Sequence, residues 1–283
     1  MESSLPLQTS AELYILEEAL YKGDYSDVTI NAFGKEYMLH KLFLRRSPVL
    51  KSLITWNKLK TDSGSEIRSI TDKTKKNYYT IQSDDPYVTQ ESWELCLKRL
   101  YFNIDYDRET RIPFQMITIG KYLGMNDLIE DNCQFLLSIM SMKVVSACLA
   151  YFVPRQFGMV GDRMIERCKF YLLKYGWEQG PENWDHIPVS IICQVAGENS
   201  FFVPNEYDRA IFIIRLLERK IERSDDGNNV LALKELLDKG VYYYHIPVEK
   251  LRELEKYRDI NGQLYISKDS IAYSVWERIW IFP

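Results

Sequence analysis

Residues 23–50 read GDYSDVTINAFGKEYMLHKLFLRRSPVL, and their pattern indicates how the first half of the chain folds. Its β-branched run predicts a strand over Ser26–Ala32, and the alternating run after it predicts a returning strand over Glu36–His40. Phe33-Gly34-Lys35 lies between the two strands and is typical of a turn. The stretch therefore predicts a β-hairpin at the start of a small sheet.

Helices are predicted on both sides of this hairpin. After it, Lys41–Arg46 and Pro48–Trp56 form two short helices, with Ser47 as the cap of the second because proline suits the first helical turn. Before it, Ser10–Tyr21 has leucines at helical spacing, and Ser10 stands where a cap is expected. The first part of the chain is thus a sheet flanked by helices.

The segment from Lys58 to Asn77 differs from its surroundings. It is rich in lysine, threonine, serine and aspartate and has no apolar period, so we interpret it as a mobile surface insertion. Its lysines allow a basic contact loop, but charge runs are usually solvated. Regular structure resumes with a strand at Tyr78–Ile81.

Helices dominate from Thr89 onward. Thr89 caps a helix at Ser92–Phe102, and Pro113 opens the next. The further predicted helices are Phe114–Leu123, Asp127–Met140, a helical region to Ile221, Val230–Lys239, Pro247–Lys256 and Ser270–Trp280. We expect a loop at 225–229 and short extended segments at 242–244 and 264–266. The fold class is therefore α+β, with a tail at 1–9, a mixed domain at 10–140 and a helical domain at 141–283.

Composition excludes several classes of protein. The chain has 283 residues and a formal net charge of −4, which disfavours nucleic acid as the main partner. No apolar run reaches the length of a membrane span, and the first residues lack the pattern of a signal peptide. Five cysteines without a Cys-x-x-Cys pair indicate reduced, buried thiols and an intracellular protein, in the nucleus or the cytoplasm.

No motif in the sequence indicates catalysis. Phosphate-binding glycine loops, a nucleophile elbow and metal-ligand spacings are all lacking, and the three histidines are His40, His186 and His245. We interpret His40 as hydrogen-bonded to the backbone near the core, and Asp185 beside His186 as no dyad. The sequence predicts no enzyme, no metal and no cofactor, and an unrecognised hydrolase is the least favoured hypothesis.

The residues at 23–50 resemble the opening of a BTB/POZ domain. That family has a Ser-Asp-Val strand, here Ser26-Asp27-Val28, then a Leu-His-Lys segment, here Leu39-His40-Lys41, then a Ser-Pro pair before two apolar residues. Residues 92–102 and 119–125 are similar to later helices of the same domain. The helical half resembles the BACK region, and residues 202–209, FVPNEYDR, resemble BTB proteins of the germ-cell-less kind and their fungal relatives.

This resemblance implies a homodimer. In the family, an N-terminal helix and the neighbouring surface form the dimer interface. The residues implied here are Leu13, Leu16, Leu20, Asp27, His40, Lys41 and Arg45. The apolar face of an amphipathic helix has to be buried. A second copy of the chain or the helix's own domain could cover it.

The resemblance also implies that the chain recruits a client protein to a cullin-3 ubiquitin ligase. The family's contact uses an apolar-x-Glu motif, but the corresponding Leu59-Lys60-Thr61 lacks the glutamate. The residues implied for a cullin contact are Leu53, Trp56, Leu59, Tyr101, Phe102 and Phe114. The alternative is a dimeric scaffold linked to transcription or chromatin that binds no cullin.

Overall fold

The computed structural model describes residues 14–56, 77–102, 112–223, 227–258 and 262–281. The chain divides into two compact units, Met1–Ser138 and Ile139–Pro283. The first contains a small sheet with flanking helices, and the described part of the second is helical. The expected α+β class is therefore confirmed. No described helix is long and apolar enough to cross a membrane.

The sheet of the first unit has three described strands in the order β2-β1-β3. They are β1 (Val28–Ala32), β2 (Lys35–Leu39) and β3 (Tyr78–Ile81). Strand β1 pairs antiparallel with β2 and parallel with β3. Alternate residues of β1 are buried, as expected for a strand with one face on a core. The hairpin between β1 and β2 has a two-residue turn, Phe33-Gly34, and both residues have positive φ angles.

The described residues of the first unit also form six helices. They are α1 (Ile15–Lys22), α2 (Lys41–Leu44), α3 (Pro48–Trp56), α4 (Gln90–Phe102), α5 (Pro113–Leu123) and α6 (Asn126–Ser138). Thr89 and Ser92 cap α4 reciprocally, because each side chain accepts the backbone N–H of the other, which confirms the predicted cap. The core between sheet and helices includes Ile30, Leu39 and Trp93.

The second unit is a series of helices. They are α7 (Met142–Phe152), α8 (Gly158–Tyr175), α9 (Val189–Ala196), α10 (Glu206–Glu222), α11 (Gly227–Lys239), α12 (Val248–Leu254) and α13 (Lys268–Ile281). Short 3₁₀ turns lie at Pro181–Trp184 and Tyr243–His245. The buried Trp184 and Phe212 contact each other edge-to-face, with ring centroids 5.4 Å apart.

Several sequence predictions are corrected by these bounds. The described part of the N-terminal helix is a π-helix, whose i→i+5 hydrogen bonds end at Gly23 in the left-handed region. Residues 227–229, expected in a loop, begin α11, and the segment expected to be extended at 242–244 contains a 3₁₀ turn, because Tyr243 is anchored in the core. The predicted cap Ser10 and almost all of the predicted insertion lie outside the described residues.

Candidate interaction surface

Asp27 joins the start of β1 to the start of α2. Its Oδ1 accepts the backbone N–H of Lys41 at 2.8 Å, and its own N–H donates to the carbonyl of Leu39 at 3.1 Å. The first N–H groups of a helix have no partner within the helix, so this carboxylate caps α2 from a distant part of the chain. The contact explains why aspartate precedes the strand and why a helix follows His40.

His40 connects α2 to α4 and to the loop after α1. Its backbone N–H donates to the hydroxyl of Tyr101 at 3.0 Å, its Nδ1 lies 3.0 Å from the same hydroxyl, and its Nε2 lies 2.8 Å from the carbonyl oxygen of Asp24. A carbonyl only accepts, so we assign the proton to Nε2, and the Tyr101 hydroxyl donates to Nδ1. The predicted hydrogen bond from His40 to the backbone is confirmed.

Tyr101 holds this cluster in the core of the first unit. It is buried, and the ring of Phe43 stacks on it with centroids 4.3 Å apart. Burial raises the pKa of Tyr101 to about 12, so its hydroxyl keeps its proton as a donor at neutral pH. His40 and Tyr101 therefore fix the backbone on which the neighbouring surface is built.

We give the name apolar patch to four large, exposed apolar side chains of the first unit. Their exposed fractions are 60% for Tyr21, 93% for Tyr25, 75% for Leu42 and 53% for Met38. Tyr21 and Met38 line one cleft, and Gly23 lies against Met38 so closely that a Cβ there would be 2.6 Å from the Met38 Cβ. Tyr25 and Leu42 lie one and two residues from the hydrogen-bonded pair Asp24 and His40. Exposed apolar side chains that line one cleft, as Tyr21 and Met38 do, are typical of interaction sites.

The backbone of Tyr25 is unusual. Its φ angle is +61°, in the left-handed region that side chains with a Cβ seldom adopt. The hydrogen bond from the ring of His40 to Asp24 holds the loop there. A strained residue that is almost fully exposed is a signal of function, because folding of the unit gains nothing from its ring.

The residues implied for a dimer interface are distributed between core and surface. Leu20 packs against the core of its own unit with Ile15 and Ala19, Leu16 is half-buried, and Leu13 lies outside the described residues. Lys41 is half-buried, while Asp27 and Arg45 are exposed. The described part of α1 thus packs part of its apolar face on its own domain. The sequence reasoning missed the apolar patch, although the alternation in β2 gives Met38 an outward position.

The residues implied for a cullin contact are divided in the same way. Leu53 has no exposed surface and Tyr101 is 5% exposed, so both lie in the core and are unavailable to a partner. Periodicity alone did not separate the buried face of these helices from the exposed one. Phe102 and Phe114 are half-buried; Trp56 ends α3, with its side chain undescribed, and Leu59 lies outside the described residues.

A charged cluster borders the cleft beside the apolar patch. Glu94 accepts hydrogen bonds from Gln90, Lys35 and the Tyr37 hydroxyl at 3.0, 2.9 and 3.0 Å. These bonds, with that from Gln90 the largest influence, lower the pKa of Glu94, whereas burial raises the pKa of Tyr37. The cluster links β2 to α4 and sets one side of the surface.

The segment at residues 202–209 joins three parts of the second unit. Asn205 caps α10 by accepting the N–H of Asp208 at 2.9 Å, and Glu206 accepts the N–H of Tyr242 at 2.9 Å. The Tyr207 hydroxyl donates to Glu253 at 2.9 Å, and the buried Arg209 lies 3.5 Å from Glu206. These contacts give the FVPNEYDR stretch a structural role at the junction of α10, α12 and the turn at 243–245.

The described residues contain no arrangement typical of a metal site or of a thiol nucleophile. No group of three or more metal-ligating side chains is found among them. All five cysteines are free; four are buried, and burial raises the pKa of the Cys96 thiol to about 12. Asp185 does not form a dyad with His186, since its carboxylate pairs with Arg219 and Arg223 at 2.5 and 2.6 Å.

Comparison with known proteins gives a relative named for its BTB/POZ domain and two germ cell-less proteins. No family model matches the chain. It is 32% identical over 123 residues to BTB/POZ domain-containing protein 2 of Schizosaccharomyces pombe, which covers 43% of this chain and 36% of that protein. It is 23% identical over 195 residues to Germ cell-less protein-like 1 of Homo sapiens, which covers 69% of this chain and 34% of that protein, and the Mus musculus protein gives the same values. The chain thus spans about a third of the length of the curated relatives it matches.

Proposed function

This chain is a protein of the BTB/POZ family and a protein-interaction module, and we propose that it forms a homodimer that recruits a client protein to a cullin-3 ubiquitin ligase. In this proposal the first unit binds its second copy and the cullin, and the helical, BACK-like unit binds the client. Ubiquitin transfer gains from the raised effective concentration of the client, and the chain itself performs no chemical step. The homodimer, the cullin and the client are the parts of this function that we propose.

The apolar patch is the observation that supports the proposed dimer. Tyr21, Tyr25, Met38 and Leu42 each expose a large apolar surface. Tyr21 and Met38 line one cleft, and Tyr25 and Leu42 lie within two residues of the hydrogen-bonded pair Asp24 and His40. A two-fold related copy would cover the patch with the same patch, and it would remove this apolar area from water. Arg45, which directly follows α2, is exposed, and we place it at the rim of the proposed interface.

The cullin contact is assigned to the end of α4 and the start of α5. Of the residues implied by the resemblance, Phe102 and Phe114 combine a partly exposed ring with a position on these helices. Aromatic side chains, phenylalanine among them, are enriched in protein interfaces. This assignment leaves Leu53 and Tyr101 to the core.

The alternative is a dimeric scaffold, linked to transcription or chromatin, that binds no cullin. The observation that favours it is in the sequence: Leu59-Lys60-Thr61 has lysine and threonine where the family's contact has a glutamate. Both proposals include the dimer, and they differ in whether the chain binds a cullin.

Light scattering of the purified chain tests both proposals in one measurement. We expect a mass near twice 33.5 kDa, and a further increase on addition of the cullin-3 N-terminal domain at micromolar concentration. Leu42→Asp places a charge in the apolar patch and should give a monomer. Met159→Asp, at another exposed apolar residue, is the matched control and should leave the mass unchanged.

The other outcomes would favour the scaffold, overturn the dimer or move its interface. A dimer whose mass is unchanged by the cullin domain supports the scaffold and overturns the adaptor. A monomeric chain overturns the dimer in both proposals. Leu42→Asp that remains dimeric while folded would place the interface elsewhere.

A further inference from the structure

A cleft in the second unit combines aromatic rings with negative charge. It lies between α11, the turn at 243–245 and α13, and its volume is about 450 Å³, within the range of ligand clefts. Four tyrosines line it, Tyr242, Tyr243, Tyr244 and Tyr273, together with two carboxylates, Asp238 and Asp269. None of the described residues that line it is basic. We call it the tyrosine cleft.

The aromatic walls of this cleft are held in place. Tyr243 is buried and donates its hydroxyl to the carbonyl of Leu237 at 2.6 Å, which anchors the turn between its two neighbours. The Tyr242 hydroxyl donates to Asn199 at 2.9 Å, and the ring of Tyr244 lies against that of His245 with centroids 4.2 Å apart. The rings of Tyr242 and Tyr244 pack edge-to-face on each other, with centroids 5.8 Å apart and planes inclined by 68°, so each fixes the position of the other.

The carboxylates of the cleft are only partly used by the fold. Asp238 Oδ1 accepts the N–H of Ser267 at 3.1 Å and the hydroxyl of Ser270 at 3.2 Å, which fixes the start of α13. Within the described residues, its second oxygen has no hydrogen bond. Asp269 is exposed at the first turn of α13. Tyr273, one turn further along α13, is 67% exposed.

Rings and carboxylates of this kind attract the same type of ligand. The face of a tyrosine ring is negative and binds an ammonium or guanidinium group, and nearby carboxylates add Coulomb attraction. The chain shows such contacts elsewhere, with Lys250 Nζ 4.9 Å from the centroid of the Tyr207 ring and Arg155 Cζ 4.8 Å from that of Tyr151. In the described residues no cation lies over the ring of Tyr242 or Tyr273.

We propose that the tyrosine cleft binds a lysine or arginine side chain of a basic segment in a partner protein. The cation occupies the cleft that Tyr242, Tyr244 and Tyr273 line, and the carboxylates of Asp238 and Asp269 in the same lining balance its charge. Charge complementarity selects this occupant, since the lining carries two negative charges and the whole chain is negative at −4. The inference requires neither the dimer nor the cullin contact of the proposed function.

Tyrosine-ring NMR of the full chain, titrated with a terminally blocked Ser-Gly-Lys-Gly-Ser peptide, tests the proposal. We expect the signals of Tyr242 and Tyr273 to shift, and a norleucine peptide of equal length to bind at least about 10-fold more weakly, because it lacks the charge. Tyr273→Ala should weaken binding of the lysine peptide about 3- to 10-fold. Asp269→Asn should weaken it about 2- to 5-fold and reduce its salt dependence.

Controls separate the cleft from general charge effects. Phe170→Ala removes an equally exposed ring of the same unit and should leave binding unchanged. Circular dichroism melts of each variant should match that of the parent chain, since Tyr273 and Asp269 are exposed. The proposal is overturned if the norleucine peptide binds as well as the lysine peptide, if Tyr273→Ala has no effect, or if the lysine peptide shifts no tyrosine signal at millimolar concentration.

Discussion

Tyr25 and Phe33 share a backbone conformation and differ in what their rings contact. Their φ angles are +61° and +56°, but Tyr25 is 93% exposed whereas Phe33 is half-buried against the core. A left-handed conformation costs about 1–2 kcal/mol for a residue with a Cβ. Only for Phe33 does packing of the ring offset this cost within the monomer.

Glycine at each position should therefore have opposite effects. Tyr25→Gly should raise the free energy of unfolding by about 0.5–1 kcal/mol, because relief of the strained backbone exceeds the gain of freedom in the unfolded chain. Phe33→Gly should lower it by about 1–2 kcal/mol, since the lost apolar burial exceeds the same relief. Urea unfolding at low protein concentration measures both, and a stabilised Tyr25→Gly chain should also self-associate more weakly. Equal signs for the two variants would contradict the assignment of Tyr25 to an interface.

Sequence reasoning at the residue scale succeeded where a local rule sufficed. The cap at Thr89 and the backbone hydrogen bond of His40 follow from residue type and position, and both are confirmed. The burial of Leu53 and Tyr101 did not follow, because both sides of a short amphipathic segment carry apolar residues. The ring of Tyr101 packs in the core, and its buried hydroxyl is satisfied by the backbone N–H and the ring of His40, 61 residues away in the sequence.

At the scale of elements, tertiary contacts explain where the predictions differ from the structure. The leucine spacing predicts an amphipathic helix over Ser10–Tyr21, and its described part is a π-helix that ends at Gly23, which packs on Met38. The three tyrosines at 242–244 favoured an extended segment by propensity. The hydroxyl bond of Tyr243 to Leu237 instead closes a 3₁₀ turn, which illustrates how tertiary contacts override intrinsic preference.

Asp185 joins the 3₁₀ turn at 181–184 to α10. Its carboxylate accepts hydrogen bonds from Arg219 at 2.8 and 2.5 Å and from Arg223 at 2.6 Å, and its carbonyl accepts one from Lys220 at 3.0 Å. The bond from Arg219 is the largest influence that lowers the pKa of Asp185. A carboxyl whose pKa is lower in the folded than in the unfolded chain stabilises the fold above the unfolded pKa, near 4. This stability is lost as the pH falls through the folded pKa.

Asp185→Asn should therefore destabilise the chain at pH 7 and matter less in acid. We expect the free energy of unfolding to fall by about 1–3 kcal/mol at pH 7, and by a value in the lower half of that range because Arg219 and Arg223 are partly exposed. The difference in the free energy of unfolding between the variant and the parent chain should decrease as the pH falls below about 4. Urea unfolding at several pH values measures it, with Asp162→Asn, at an exposed position of α8, as the control. A difference that stays constant down to pH 2 would show that the charge of Asp185 is not its source.

At the scale of the whole molecule, each of the two units contains buried apolar side chains. The core of the first unit is formed by residues between Val28 and Leu128, all before the division at Ser138. The buried residues of the second unit include Trp184, Phe212 and Leu237. The apolar patch lies in the first unit and the tyrosine cleft in the second. The interaction sites argued from the structure are thus placed on separate compact units.

Residues 1–138 and 139–283, produced as separate chains, should each unfold cooperatively, because each keeps its own buried apolar side chains. Self-association should remain with 1–138 and binding of the lysine peptide with 139–283. Light scattering and the tyrosine NMR titration, repeated on the separate chains and on their equimolar mixture, measure this division. The mixture should bind the lysine peptide as the 139–283 chain does. Self-association of the 139–283 chain alone would contradict the apolar patch as the dimer interface, and loss of peptide binding by a folded 139–283 chain would contradict the tyrosine cleft as a complete site.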